Sequence, residues 1–231
     1  MTEWVPVFTS AQVRGAEKPL LDQGEPLMLR AAQALARITA SELRSDGGRI
    51  LVLAGSGDNG GDALFAAGHL AELDDVRVDV LLTSDRAHLN GLAAAFAAGA
   101  RAVELLEAMH APVEYDLVLD GILGIGASAN PALRGTARTV VAELLPFVRA
   151  GRPRVIAVDV PSGLHPDAGT SDGVVLPASV TVTFGAVKAG LVTADGPDAA
   201  GSVMLVDIGL GSGLATVEPV GEASIAAVVA G

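Results

Sequence analysis

Short apolar, β-branched runs, recurring with helical stretches between them, constrain this chain more than any other feature of its sequence. The runs are RILVLA at Arg49–Ala54, VRVDVLLT at Val76–Thr83, LVLD at Leu117–Asp120, VIAVDV at Val155–Val160, SVTVTF at Ser179–Phe184 and VMLVD at Val203–Asp207. Helical patterns fill Pro26–Arg44, Asp62–Leu73, Ala87–Ala98 and Gly135–Ala150. Several runs are apolar on both faces, which suits a sheet covered on both sides. Alternation with helices then implies right-handed βαβ crossovers. The expected fold is α/β: a three-layer α/β/α, Rossmann-like, doubly wound and mostly parallel sheet.

No composition shift or fixed-period repeat divides the 231 residues, so a single domain over 1–211 is expected. Within it, the helical segment 1–45 should pack on the sheet or on a partner subunit. Residues 212–231 read as a tail or the start of a truncated linker. A net charge of −12 and only seven aromatics, five Phe with one Trp and one Tyr, argue against nucleic acid as a partner. The longest Ala/Leu-rich run, around Gly91–Ala100, falls short of the ~20 residues that span a bilayer, so no membrane is expected. The opening MTEWVPVFTS lacks the basic and apolar regions of a secretory signal, and there is no cysteine. A cytoplasmic location is the expectation.

Open α/β sheets bind ligands beyond the carboxyl ends of their strands, near the switch point in strand order. The loop after the first run is GSGDNGGD, Gly55 to Asp62, and its Gly55, Gly57 and Gly60 satisfy GxGxxG. Its four glycines would let backbone approach a ligand closely. Asp58 and Asp62, however, bring negative charge to the place where a pyrophosphate would sit. The loop therefore reads as one that turns Asp and Asn side chains on ribose hydroxyls, amides or a metal ion. The plainer alternative is a glycine-rich turn with Asp62 as a helix N-cap.

The second loop follows Asp120, a carboxylate at the end of a buried strand, where it must be paired, hydrogen-bonded or metal-bound. Small residues at Gly124, Gly126, Ala127 and Ser128 suit a backbone wrapped around a ligand, or equally a flexible connection to the helix near Gly135. The third loop is Asp159-Val-Pro-Ser-Gly163. Asp120, Asp159 and Ser162, with Asn59, make an oxygen-only set that suits a hard monovalent or alkaline-earth cation. Lys188 lies near the same edge and could meet a phosphate, although an isolated Lys is more often a solvated surface residue. His165 alone among the histidines is near these loops and is given no role. Nucleophile-elbow, cysteine-nucleophile and HExxH hydrolase chemistries have no residues to carry them here.

GSGDNGGD at Gly55–Asp62, VLDGILG at Val118–Gly124, VDVPSG at Val158–Gly163, TVTFGAVKAG at Thr181–Gly190 and VDIGL at Val206–Leu210 stand in the order and spacing of the YjeF N-terminal family. The chain resembles that family from about Phe8 to Leu210. The resemblance implies an NAD(P)H-hydrate epimerase, an isomerase that interconverts the R and S forms of hydrated NADH and NADPH in cofactor repair. It implies substrate contacts at Asp58, Asn59, Gly60, Gly61, Asp62, Gly124, Ile125, Gly126, Ala127, Ser128, Ala129, Asn130 and Asp159. It also implies one potassium ion per subunit on Asn59, Asp120 and Ser162, a homodimer, and a functional pairing with an ATP- or ADP-dependent dehydratase. Asp58 stands where many members have Asn. Gly124–Asn130 has no basic residue, so Lys188, Arg134 or backbone amides would have to meet the substrate's phosphates.

In such a hydrate the C6 hydroxyl sits beside the ring nitrogen, and its departure leaves an iminium. Inversion needs an acid to assist departure and a base to activate water on the opposite face. Asp159 is the catalytic candidate. A carboxylate near a bound cation serves more readily as base than as acid, which leaves the acid unassigned. Two other readings stand beside this one: a non-catalytic nucleotide-binding or interaction module, and an NAD(P)-dependent oxidoreductase with Asp85 as its ribose acid.

Overall fold

The computed structural model describes residues 3–126 and 130–231. Strand β1 (Glu3–Phe8) and helices α1 (Ser10–Asp22) and α2 (Leu27–Ser41) precede β2 (Gly48–Ala54), α3 (Asp58–Ala71), β3 (Val76–Leu82), α4 (Leu89–Ala97), β4 (Arg101–Ala102) and α5 (Leu105–Ala108). Then come β5 (Leu117–Gly121), α6 (Gly135–Arg149), β6 (Arg154–Val158), β7 (Val180–Phe184), β8 (Val187–Lys188), α7 (Gly196–Ala200), β9 (Ser202–Asp207), α8 (Gly211–Leu214), β10 (Gly221–Ile225) and β11 (Ala227–Ala230).

Eight strands form one sheet in the order β11-β9-β7-β6-β5-β2-β3-β4, and every pairing in it is parallel. All six expected runs are strands of this sheet, and the expected α/β/α layering holds. Period-two alternation explains it. Ile50 and Val52 of β2 face a core shared with α2 and α3, while Leu51 and Leu53 face the opposite core with α6. From β2 the chain runs outward through β3 and β4, then returns to β5 on the other side of β2. The switch point therefore lies between the carboxyl ends of β2 and β5, where the rule for open sheets places a ligand.

Two expectations need correction. The segment 1–45 is not wholly helical: it opens in β1, which pairs parallel with β8 and antiparallel with β10 in a separate three-stranded sheet. Nor do residues 212–231 stand apart from the domain as a tail or linker. Strand β10 completes the small sheet, and β11 pairs with β9 as the eighth strand of the large one. Both strands are short and half-exposed at an edge, with alternating rather than continuous burial, so their apolar signal is weak. Among the described residues no helix is long and apolar enough to cross a membrane.

Candidate active site

The turn after β2 leads directly into α3, whose N-cap is Gly57. Asp62 is therefore inside the helix, and the N-cap alternative fails. Asp58 and Asp62, four residues apart, share one helical face. Two of the four glycines serve the protein's own packing. A Cβ on Gly55 would lie 1.9 Å from the Ile122 carbonyl oxygen, and one on Gly60 would lie 2.1 Å from the Gly55 oxygen. They let the β2 turn, the first turn of α3 and the β5 loop close on one another, a packing that the Gly55 N–H bond to the Gly121 oxygen at 3.1 Å secures.

Above this packed base opens a cavity of about 640 Å³, within the size range of small-molecule sites. Asp58, Asn59, Asp62, Gly124, Ile125, Gly126, Asn130 and Asp159 line it. Gly60 and Gly61 do not; they sit in the helix packing, Gly61 against Met28 and His88. Ala127, Ser128 and Ala129 lie outside the described residues. Sequence reading missed the wall supplied by Arg14, Glu17 and Leu21 of α1 and by Met28 of α2. Those residues come from a segment without a motif, and only the tertiary docking of α1 brings them here. Arg14 also donates from Nη1 to the Ile125 carbonyl, tying α1 to the β5 loop.

Asp159 immediately follows β6 with φ of 65°, the left-handed region that a non-glycine residue adopts at a cost. Its backbone N–H bonds the Val182 oxygen at 2.8 Å, and its Oδ1 accepts from three donors. These are Thr183 Oγ1 at 3.2 Å, Phe184 N at 3.3 Å and the ammonium of Lys188. Among the described residues Oδ2 takes no hydrogen bond, and the side chain faces the cavity. Lys188 is 1 % exposed and also donates to Phe184 O at 2.7 Å and Thr183 Oγ1 at 3.1 Å. The surface reading of Lys188 is thus wrong, and so is its assignment to a phosphate: its donors are spent inside the protein. Arg134, the other suggested cation, does line the cavity.

Asp62 differs from Asp159. It is 9 % exposed and lines the cavity, yet no hydrogen bond or ion pair reaches its carboxyl among the described residues. Burial pushes its pKa well above the usual carboxylate range, and the negative charges of Asp159, Asp58 and Glu17 push the same way against the weaker pull of Lys188. Glu17 on the opposite wall is also raised, again chiefly by burial.

Beneath the cavity, Asp120 and Ser162 are both fully buried. The Ser162 N–H donates to Asp120 Oδ2 at 2.9 Å, and the Ile122 N–H to Oδ1 at 3.4 Å. Ser162 Oγ accepts from Leu123 N at 2.9 Å. Asn59 leans on the same loop: a Cβ on Gly124 would come within 2.8 Å of its Oδ1. Its Nδ2 is buried without a partner, and since amide orientation follows from partners, turning the amide would place an acceptor there. Burial raises the pKa of Asp120, only partly offset by its bonds from Ser162 and Ile122. A buried carboxylate, a serine hydroxyl and an orphaned amide around one turn form a donor set compatible with a small hard cation.

His165 plays a local part: its Nδ1 accepts from Asp167 N at 3.2 Å and Ala168 N at 3.1 Å, shaping a turn. Asp85 is exposed and is not part of the cavity wall.

The family model described as YjeF-related protein N-terminus matches residues 24–190. The chain belongs to this YjeF-related family. An NAD(P)H-hydrate epimerase of Microbacterium testaceum is 57% identical over 97% of this chain and 86% of its own length. A bifunctional NAD(P)H-hydrate repair enzyme Nnr of Mycobacterium tuberculosis is 40% identical over 86% of this chain, which spans 40% of that longer protein. The crystal structure of yeast ynu0 superposes with a TM-score of 0.68 at 24% identity, covering 80% of this chain and 83% of that one, and supports the YjeF-type fold. The family match ends at residue 190, whereas the sheet continues through β9 and β11.

Proposed function

We propose that this protein is an NAD(P)H-hydrate epimerase acting in the cavity between the ends of β2 and β5. The observation that carries the reading is Asp159. Its carboxyl is aimed into the cavity with one oxygen anchored by Lys188 and the other open to substrate, as a positioned proton acceptor requires. When the C6 hydroxyl departs, the ring-nitrogen lone pair forms the iminium. Water then adds to the opposite face of C6 as Asp159 Oδ2 removes its proton. The bonds from Thr183, Phe184 and Lys188 to Oδ1 hold the carboxyl in place, so little reorganisation accompanies the transfer.

Asn59, Asp120 and Ser162 would hold a potassium ion, which would supply positive charge to balance the buried Asp120 carboxylate. Arg134 and Arg14 line the cavity and are the side chains that meet the substrate's phosphates, leaving Lys188 to its internal role. The S hydrate so formed would pass to an ATP- or ADP-dependent dehydratase, an activity that the name of the bifunctional relatives accommodates.

The test is chromatographic. The separated R epimer of hydrated NADH is incubated at neutral pH with and without protein, and the S epimer is quantified. Conversion faster than the spontaneous rate is expected. Binding without acceleration would instead favour a non-catalytic nucleotide-binding module.

A further inference from the structure

Removing a hydroxide from C6 requires a proton donor, and the groups around Asp159 cannot easily be that donor. Lys188 sits behind Asp159, buried and bonded to three oxygens. The cavity wall holds three further carboxyls: Asp58 on the exposed rim, Glu17 on the half-buried α1 wall, and Asp62, nine-tenths buried on α3. Asp62 alone of the three combines deep burial with the absence of any hydrogen-bond or ion-pair partner among the described residues. A carboxyl on a cavity wall without a protein partner is open to a ligand or to chemistry.

We propose that Asp62 is the general acid of the epimerisation, working as one half of a two-carboxyl relay with Asp159. This rests on the epimerase reading above and assigns a role within the same cavity. In one direction the Asp62 O–H bond breaks and its proton goes to the C6 hydroxyl. The C6–O bond breaks with its electron pair on oxygen, water leaves, and the nitrogen lone pair forms C6=N⁺. A water oxygen then bonds C6 from the other face, the pair returns to nitrogen, and the water's extra proton goes to Asp159. The enzyme is left with Asp62 ionised and Asp159 protonated. That is the starting state for the reverse epimerisation, and exchange with solvent restores the first state.

The surroundings of Asp62 match this role. Asp159 from β6, Asp58 on its own helix and Glu17 from α1 disfavour its ionised form, with Lys188 the opposing charge. The α2 side chain nearest this turn is the apolar Met28, and the α4 side contributes His88, whose Nδ1 is occupied by the Gly91 N–H at 3.1 Å. Burial and the neighbouring carboxylates thus favour the protonated form of Asp62, as a catalytic acid requires.

Two measurements test it. In the chromatographic assay, Asp62→Asn should convert the R epimer about a hundredfold or more slowly than wild type, with equilibrium dialysis against the S hydrate giving affinity within about threefold. Retention of the wild-type rate by Asp62→Asn, or its loss only in Glu17→Gln, overturns the assignment. A wild-type protein that fails to accelerate conversion overturns the epimerase reading and this proposal together. Independently of activity, thermal unfolding of the two proteins is followed from acid to alkaline pH. Wild type should lose stability relative to Asp62→Asn as pH rises above the ordinary carboxylate range, and parallel curves would sink the proposal.

Discussion

Two buried aspartates on this sheet receive opposite treatment. Asp79 of β3 is 4 % exposed, yet its Oδ2 accepts from Arg49 Nε at 3.0 Å, Arg49 Nη2 at 2.8 Å and Tyr115 OH at 2.9 Å, and its Oδ1 from Arg101 Nε at 3.0 Å. Arg49 in turn stacks 4.5 Å above the Tyr115 ring. Burial alone would raise the pKa of Asp79, but the bonds from Arg101, Arg49 and Tyr115 together outweigh it and hold the carboxyl below its ordinary range. Asp62, also nearly inaccessible to solvent, receives none of this and is pushed the other way. A buried carboxyl with both oxygens engaged ties strands together. One left without partners beside a cavity is available to chemistry.

Asp159 stands between these extremes, half engaged and half open, and its substitution should have the largest effect. Asp159→Asn keeps the shape but loses the proton acceptor, so epimerisation should fall roughly 10²- to 10⁴-fold with the fold retained. Wild-type turnover by a folded Asp159→Asn protein would place the chemistry elsewhere. Lys188→Met should also cost stability, by about 3–5 kcal/mol, because it leaves a carboxyl buried without its cation. Denaturant unfolding gives that figure directly.

The Asp79 network should show the reverse pattern. Asp79→Asn should cost about 2–3 kcal/mol, discounted because the Arg101 side chain is 55 % exposed, while turnover per folded molecule stays at the wild-type level. Its pH dependence follows from the lowered pKa: the network's stabilisation is complete above the unfolded carboxylate's range and is lost as pH falls through the folded value. Acid unfolding of Asp79→Asn should therefore be shallower than that of wild type. An activity loss with unchanged stability would erase the distinction between the two aspartates.

The large sheet and the switch point were legible because fully apolar strands and glycine-rich turns are local signals. GSGDNGGD and DGILG stand at the ends of β2 and β5, where the strand order reverses. Roles set by distant partners were not legible. Lys188 reads as a surface residue until β8 folds beside the end of β6 and buries its ammonium against Asp159. The α1 wall has no motif, and its capping box of Thr9 and Gln12 only starts the helix. At Gly55 and Gly60 the missing side chains make room for the protein's own Ile122 and Gly55 carbonyls, a close approach that no spacing reveals.

The smallest expected effect is also the most discriminating. Because the pKa of Asp62 is raised on folding, native protein binds its proton more tightly than the unfolded chain does. Stability is highest below the unfolded carboxylate's range and declines as pH climbs through the folded value. Asn at this position cannot ionise, so Asp62→Asn should melt above wild type at neutral and alkaline pH, by about 1 kcal/mol or roughly 2–4 °C, and the two should converge in acid. The same substitution at Asp79 lowers stability at neutral pH. Opposite signs for one chemical change, at two aspartates that are both nearly inaccessible to solvent, would show that low exposure alone does not set the role of a carboxyl here. The partners around it do, and an enzyme that gains stability as it loses its proton donor has been retaining that donor for function.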